Sequence, residues 1–351
     1  MSQSPSYRPF AGATARAVSS GFTQETAEQL REALPPLDQA WSTLGHGVGS
    51  AVPAPVHAYY RHYLLGGAAE QRYLGALAVS LGGRSEHVAV QTFVPASAKA
   101  SDLPTILLLH GYLDHLGLNR YVIDELLGAG FVVCAVDLPG HGLSAGGRGT
   151  IGDFAEYAAV LQRLVGEIRA GRVLGVSSTA RLGGLGHSTG ATALLEYMEQ
   201  GGAELEVLVL LAPLIRLFAF PLARIGVRLA SGVVDTLPRR ISGSSSNEEY
   251  MRFAREFDPL GIYEAPLEWA EAYLAWEERR RELGVYTLPL LLVQVGRDTV
   301  VDAEYNTAFL QRFFPELEYL HFPEARHSIF TEPHVKRPGL YKGITRFLTA
   351  P

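Results

Sequence analysis

The chain predicts an α/β fold: a mostly parallel sheet with helices on both faces. Two observations lead there. From about residue 72 onward, short apolar runs alternate with segments of helical period. The run Thr105–Leu109 is apolar after its first residue, as in a strand buried on both faces. A third observation shapes the architecture: the alternation breaks once, at residues 213–287, where helical stretches follow one another without a clear strand.

Element by element, residues 1–20 are rich in Ser, Ala and Gly and read as a loose arm. A short helix follows over 22–34, with Thr23 as its cap and Pro35-Pro36 as its stop. The stretch to about residue 70 is ambiguous, since Tyr59, Tyr60 and Tyr63 suit either a strand or a helix face. Strands are predicted at Arg72–Leu81 and His87–Val94 around Gly82-Gly83, then at Thr105–Leu109, Phe131–Asp137, Arg181–Gly186, Leu205–Leu211, Leu288–Val295 and Leu317–Phe322. Helices are predicted at Tyr121–Gly130, Asp153–Arg169, Ser188–Glu199, Glu304–Phe314 and Leu340–Leu348. Within 213–287, Leu214, Leu217, Phe218, Leu222, Ile225 and Leu229 form one helical stripe, and Leu267–Leu283 a more charged helix. The expected organisation is an N-terminal extension (1–70), a core of 71–212 and 288–351, and a helical insertion (213–287). That insertion would lie as a lid over the strand C-termini, the edge where ligands bind in open α/β sheets.

Composition narrows the function. With 47% apolar and 19% charged residues, the chain can bury a sizeable core. A net charge of −6 leaves no basic footprint for nucleic acid. The single cysteine, Cys134, sits in an apolar run and reads as a small buried hydrophobe. No secretory leader or membrane-spanning stretch is evident, so a cytoplasmic location is expected.

The chemistry is announced by Gly186-His-Ser188-Thr-Gly190, which follows a predicted strand and opens a predicted helix. A serine on such a tight turn lifts its hydroxyl out of the sheet, glycines relieve the crowding, and the helix N-terminus favours developing negative charge. A dinucleotide loop starting at Gly184 would need glycine where Thr189 stands. A serine hydroxyl needs a base, and the base needs an orienting carboxylate. Asp298 follows the strand Leu288–Val295, and His327 follows Leu317–Phe322, so both project at the same sheet edge as Ser188. Asp302 suits a helix cap, His321 is locked in a strand, and His187, beside the nucleophile on a sharp turn, suits a packing role. Backbone N–H groups of Thr189 and Tyr112 are the candidate oxyanion donors, and the Tyr112 side chain a wall of the acyl pocket.

Five segments together carry a family resemblance: His110-Gly-Tyr-Leu-Asp-His115, Asp137-Leu-Pro-Gly-His-Gly-Leu-Ser144, Gly186-His-Ser-Thr-Gly190, Gly296-Arg-Asp298 and Ala325-Arg-His327. In order and content the chain resembles α/β-hydrolases of the monoacylglycerol lipase and lysophospholipase type, often grouped with serine aminopeptidase-like enzymes. The resemblance spans 105–330. It implies an eight-stranded α/β-hydrolase sheet, a Ser188–Asp298–His327 triad, and Tyr112 and Thr189 as oxyanion donors. Residues 1–70 and 213–287 have no clear counterpart in it. Asp137 and His141 suit turn formation around Pro139-Gly140 and Gly142.

The expected reaction is hydrolysis of a carboxylic ester, a lipid-like small-molecule acyl substrate, through an acyl-enzyme, with no metal or organic cofactor required. His57 and His62 show no ligand set. The apolar insertion favours a medium or long acyl chain. Peripheral membrane contact through 214–229 is a further expectation, with Arg216, Arg224 and Arg228 flanking its apolar positions. Three rivals stand beside the esterase. An aminopeptidase or amidase would need a carboxylate for the substrate ammonium, for which Glu264 or Glu268 are candidates. The others are a C–C or lactone hydrolase and a silent ligand-binding fold.

Overall fold

A computed structural model describes residues 20–44, 52–96, 103–239, 243–280 and 284–350. The expected loose arm lies outside them, apart from Ser20. The first helix, α1 (Gln24–Ala33), is closed by a capping box between Thr23 and Thr26. Strand β1 (Trp41–Leu44) follows. The tyrosine-rich stretch resolves as helix α2 (Ala54–Tyr63), with Pro53 at its cap and Pro55 in its first turn, which admits proline. Strands β2 (Ala69–Leu81) and β3 (Arg84–Pro95) make a long hairpin through Gly82-Gly83, both at positive φ. Then come β4 (Thr105–Leu109), α3 (Arg120–Gly128), β5 (Val132–Val136), α4 (Ala155–Arg169), β6 (Leu182–His187), α5 (Thr189–Glu199) and β7 (Leu205–Leu211).

Between β7 and the next core strand lie α6 (Phe220–Ala230), β8 (Thr236–Pro238), α7 (Glu248–Glu256), β9 (Glu264–Pro266) and α8 (Leu267–Arg279). The core resumes with β10 (Leu290–Val295), α9 (Ala303–Phe313), β11 (Glu318–Phe322) and α10 (Leu340–Leu348). The large sheet runs β1-β2-β3-β5-β4-β6-β7-β10-β11. Its pairings are antiparallel up to β5 and parallel from there on.

Period-2 geometry divides the core. Leu107 and Leu109 of β4 face one layer with α4, α5, α8 and α9. Ile106 and Leu108 face the other, with α1, α2, α3, α7 and α10. The central parallel strands β4, β5 and β10 are buried on both faces, which is why their sequences are mostly apolar, whereas the edge strand β11 is largely exposed. Cys134 is fully buried in β5.

Three expectations need correcting. The sheet has nine strands, not eight; β1 is a four-residue edge strand, too short to show a period. The insertion does contain strand, an antiparallel β8–β9 ribbon of three residues a side with proline in each, so it carries no alternation signal. The stripe from Leu214 to Leu229 is not one helix. Ala219 takes a left-handed φ of 51°, α6 begins after it, and the stripe splits. Leu214 turns into the core while Leu222, Ile225 and Leu229 stay exposed. Among the described residues, no helix is long and apolar enough to cross a membrane.

Candidate active site

The turn between β6 and α5 is held in a conformation few side chains adopt. Ser188 has φ 51° and ψ −114°. Its neighbours must be glycine: a Cβ on Gly186 would stand 2.5 Å from the Ala191 nitrogen, and one on Gly190 2.5 Å from the Leu109 carbonyl oxygen. The serine N–H donates to the Leu211 carbonyl at 2.9 Å, which ties the turn to β7. The hydroxyl is thereby set at the N-terminus of an eleven-residue helix.

Three loops at the C-terminal edge of the sheet converge there. Ser188 Oγ lies 3.0 Å from His327 Nε2, and His327 Nδ1 lies 2.8 Å from Asp298 Oδ2. With the ring neutral, Nδ1–H donates to the carboxylate and Nε2 is left to accept the serine proton. The other Asp298 oxygen accepts N–H bonds from Val300 at 2.8 Å and Val301 at 3.0 Å. Burial pushes the Asp298 carboxyl up. The His327 ring and the two amides overcome this and hold it below the usual carboxylate range. An ionised, doubly anchored carboxylate fixes both the tautomer and the direction of the ring.

Tyr112 and Thr189 border the same space. Neither backbone N–H has an acceptor among the described residues, so both remain available to an oxyanion. The space is a cavity of about 360 Å³, walled by Leu113, Leu214, Leu217, Leu237, Trp269 and Val300 beside the Ser188 and His327 side chains. The Tyr112 ring is one wall, with its hydroxyl donating to the Gly149 carbonyl at 2.9 Å.

The other singled-out residues take structural places. Asp302 caps α9 by accepting the Tyr305 N–H at 3.0 Å. His321 lies on exposed β11, outside the cavity. Asp137 does more than form a turn: fully buried, it accepts N–H bonds from Leu116 and Leu143 and so joins two loops behind the site. His141 Nδ1–H donates to the Pro139 carbonyl at 2.8 Å. His187 exceeds a packing role, since its Nε2–H donates to the His327 carbonyl at 2.9 Å. Burial, reinforced by His327, pushes the His187 ring down to about 3, so it stays neutral. Glu264 is exposed and accepts from Thr236, and Glu268 bonds the Thr150 hydroxyl; neither lines the cavity.

Sequence reasoning missed Asp114, Arg239 and Trp269, which also line the cavity. Trp269 had a readable signal, an aromatic on the predicted helix from Leu267. Arg239 had none, because it follows a strand too short to recognise.

The sheet order, the strained serine turn and the converging acid and histidine loops define the class: this is an α/β-hydrolase. More narrowly, the chain belongs to the family described as serine aminopeptidase, S33, whose model matches residues 101–334. It is 27% identical to the monoacylglycerol lipase of Mycolicibacterium smegmatis over 66% of this chain and 83% of that one. It is 24% identical to phospholipase YtpA of Bacillus subtilis over 69% of this chain and 93% of that one. Among solved structures, the monoglyceride lipase of Saccharomyces cerevisiae superposes with a TM-score of 0.62 at 20% identity, over 75% of this chain and 92% of that one. The monoacylglycerol lipase of Paleococcus ferrophilus gives 0.60 at 20%, over 76% and 98%.

Proposed function

We propose that the protein is a serine hydrolase that cleaves a carboxylic ester with a medium or long acyl chain. The observation that carries this reading is the hydrogen-bonded row Ser188–His327–Asp298 at the wall of an apolar cavity. Ser188 Oγ adds to the ester carbonyl as its proton passes to His327 Nε2. The oxyanion accepts the N–H groups of Thr189 and Tyr112. The carbon–oxygen bond to the alcohol breaks, and the alcohol leaves with the proton from His327. Water then gives its proton to His327 and adds to the acyl-enzyme, the acid departs, and the proton returns to Ser188. The names of the two sequence relatives, a lipase and a phospholipase, favour an acyl ester. Nitrophenyl esters of increasing chain length test the substrate class: kcat/KM is expected to rise from acetyl to octanoyl, and activity on acetyl esters alone would overturn it.

The family's description raises the aminopeptidase reading. An ammonium group would need a free carboxylate in the cavity. Glu264 and Glu268 are outside it, and Asp114 shares it with the Arg239 guanidinium, which repels a cation. Ester cleavage is therefore favoured.

We also propose that α6 makes peripheral contact with lipid surfaces. Its exposed Leu222, Ile225 and Leu229 support this. Two of the flanking arginines do not, being paired: Arg216 with Glu277 at 2.8 Å and Arg228 with Glu278 at 2.6 Å. Co-sedimentation with liposomes, reduced by Leu222→Glu with Leu229→Glu, is the expected result; no sedimentation of the parent protein removes this reading.

A further inference from the structure

One group in the cavity is out of keeping with its surroundings. Arg239 continues the β8 strand, and its side chain reaches the same space as Ser188, against Leu237, Tyr250 and Trp269. Its backbone N–H donates to the Tyr263 carbonyl at 3.0 Å, and Nη1 donates to the Ile262 carbonyl at 3.0 Å. The first bond fixes the main chain, and the second holds one end of the guanidinium fork against the segment just before β9. No described carboxylate lies within 4.0 Å of it, although eleven other arginines make such pairs among the described residues.

Asp114 is the one carboxylate that lines the cavity among the described residues apart from the triad loop, and it is committed elsewhere. Its Oδ1 accepts the His115 N–H at 2.8 Å, and Asn119 Nδ2 approaches Oδ2 at 3.5 Å. Asp114 exerts an electrostatic pull on Arg239 without forming an ion pair with it, so this half-buried guanidinium faces an apolar cavity with its charge only partly offset, an arrangement that a ligand's negative charge would stabilise. A planar fork with one end fixed is suited to a carboxylate or phosphate.

We propose that Arg239 is an anion-binding residue that selects acyl substrates or products carrying a carboxylate or phosphate group. This rests on the hydrolase reading for its catalytic meaning, but the binding itself does not depend on turnover. The test is therefore calorimetric, on the full chain with Ser188→Ala, using octyl phosphate, octanoate and uncharged 1-O-octylglycerol. At least one anion is expected to bind ten times or more tighter than the glyceryl ether. Tighter octyl phosphate assigns a phosphate ligand, and tighter octanoate a carboxylate. Arg239→Gln should bring the affinity ratio within twofold of unity, while Arg239→Lys should keep part of the preference, with thermal melts confirming that both variants fold. Equal affinities for anions and ether in the parent, or a preference that survives Arg239→Gln, overturns the proposal. Charge-selective binding together with absent ester hydrolysis would reject the esterase reading and leave this one standing.

Discussion

The rings of Tyr112 and Trp269 stack 3.7 Å apart at an angle of 12°. One belongs to the loop after β4 that borders the Ser188 cavity, the other to α8 of the insertion. The insertion therefore buttresses that loop through a ring-to-ring contact. Trp269 is also held by its Nε1–H, which donates to the Tyr157 hydroxyl at 3.1 Å. Trp269→Ala is expected to destabilise the fold by about 3 kcal/mol or more and to lower kcat more than it raises KM. Urea unfolding and steady-state kinetics check both halves; a rise in KM alone would mean that the ring only walls the pocket.

The glycines of the serine turn have no room to change. Gly190→Ala sets a methyl group 2.5 Å from the Leu109 carbonyl oxygen and 2.6 Å from that of His110. The expected cost is roughly 1–3 kcal/mol, with the hydroxyl displaced and ester hydrolysis lost. Thermal melting and activity together measure this, and a variant as stable and active as the parent contradicts the close approach.

His187 holds the His327 loop by the single bond from Nε2 to the His327 carbonyl. Removing it leaves that carbonyl with the Ile329 N–H alone, at 2.9 Å, a loss of about 1 kcal/mol, or about fivefold in kcat if the imidazole drifts from Ser188. His187→Ala should show that loss, and His187→Gln, which keeps an N–H donor, should recover part of it. Equal kcat in all three proteins would limit His187 to packing.

Two buried charges carry opposite pH signatures. Burial alone would push the His115 ring down, but Asp258, at 3.1 Å, together with Asp137 and Asp114, raises it above its ordinary value. Stability from a raised group is in full force below the ordinary histidine value near 6.5 and fades as the pH climbs through the folded value. Asp298 is depressed, so its contribution holds above the ordinary carboxylate value of 3.8 and fades as the pH falls through the folded one. The stability gap between parent and His115→Gln should therefore narrow on the alkaline side, and that between parent and Asp298→Asn on the acid side. Urea titrations from pH 3 to pH 9 read both; a gap that does not move with pH contradicts the corresponding ion pair.

Much of this was legible in the chain. Ser188, Asp298 and His327 each follow a predicted strand, the one before Asp298 a near-continuous apolar run, so their arrival at one sheet edge follows from topology. Asp302 reads as a cap because its position before α9 leaves it little else to do. What escaped reading depends on short elements and on contacts between distant segments. Strand β8 has three residues, one a proline, so neither the ribbon nor Arg239 behind it leaves a pattern. The break at Ala219 is invisible because the apolar spacing runs on through it, and only the left-handed residue separates Leu214 from Leu222. The bond from His187 to His327 joins residues 140 positions apart, and nothing local signals it.

The most direct test of the Ser188 relay is intact-protein mass spectrometry after reaction with a fluorophosphonate. A single adduct is expected, mapping to Ser188, absent in Ser188→Ala and slowed by about 10⁴-fold or more in His327→Ala. No adduct on the folded parent, or one that persists in Ser188→Ala, would contradict the assignment of that serine as the nucleophile.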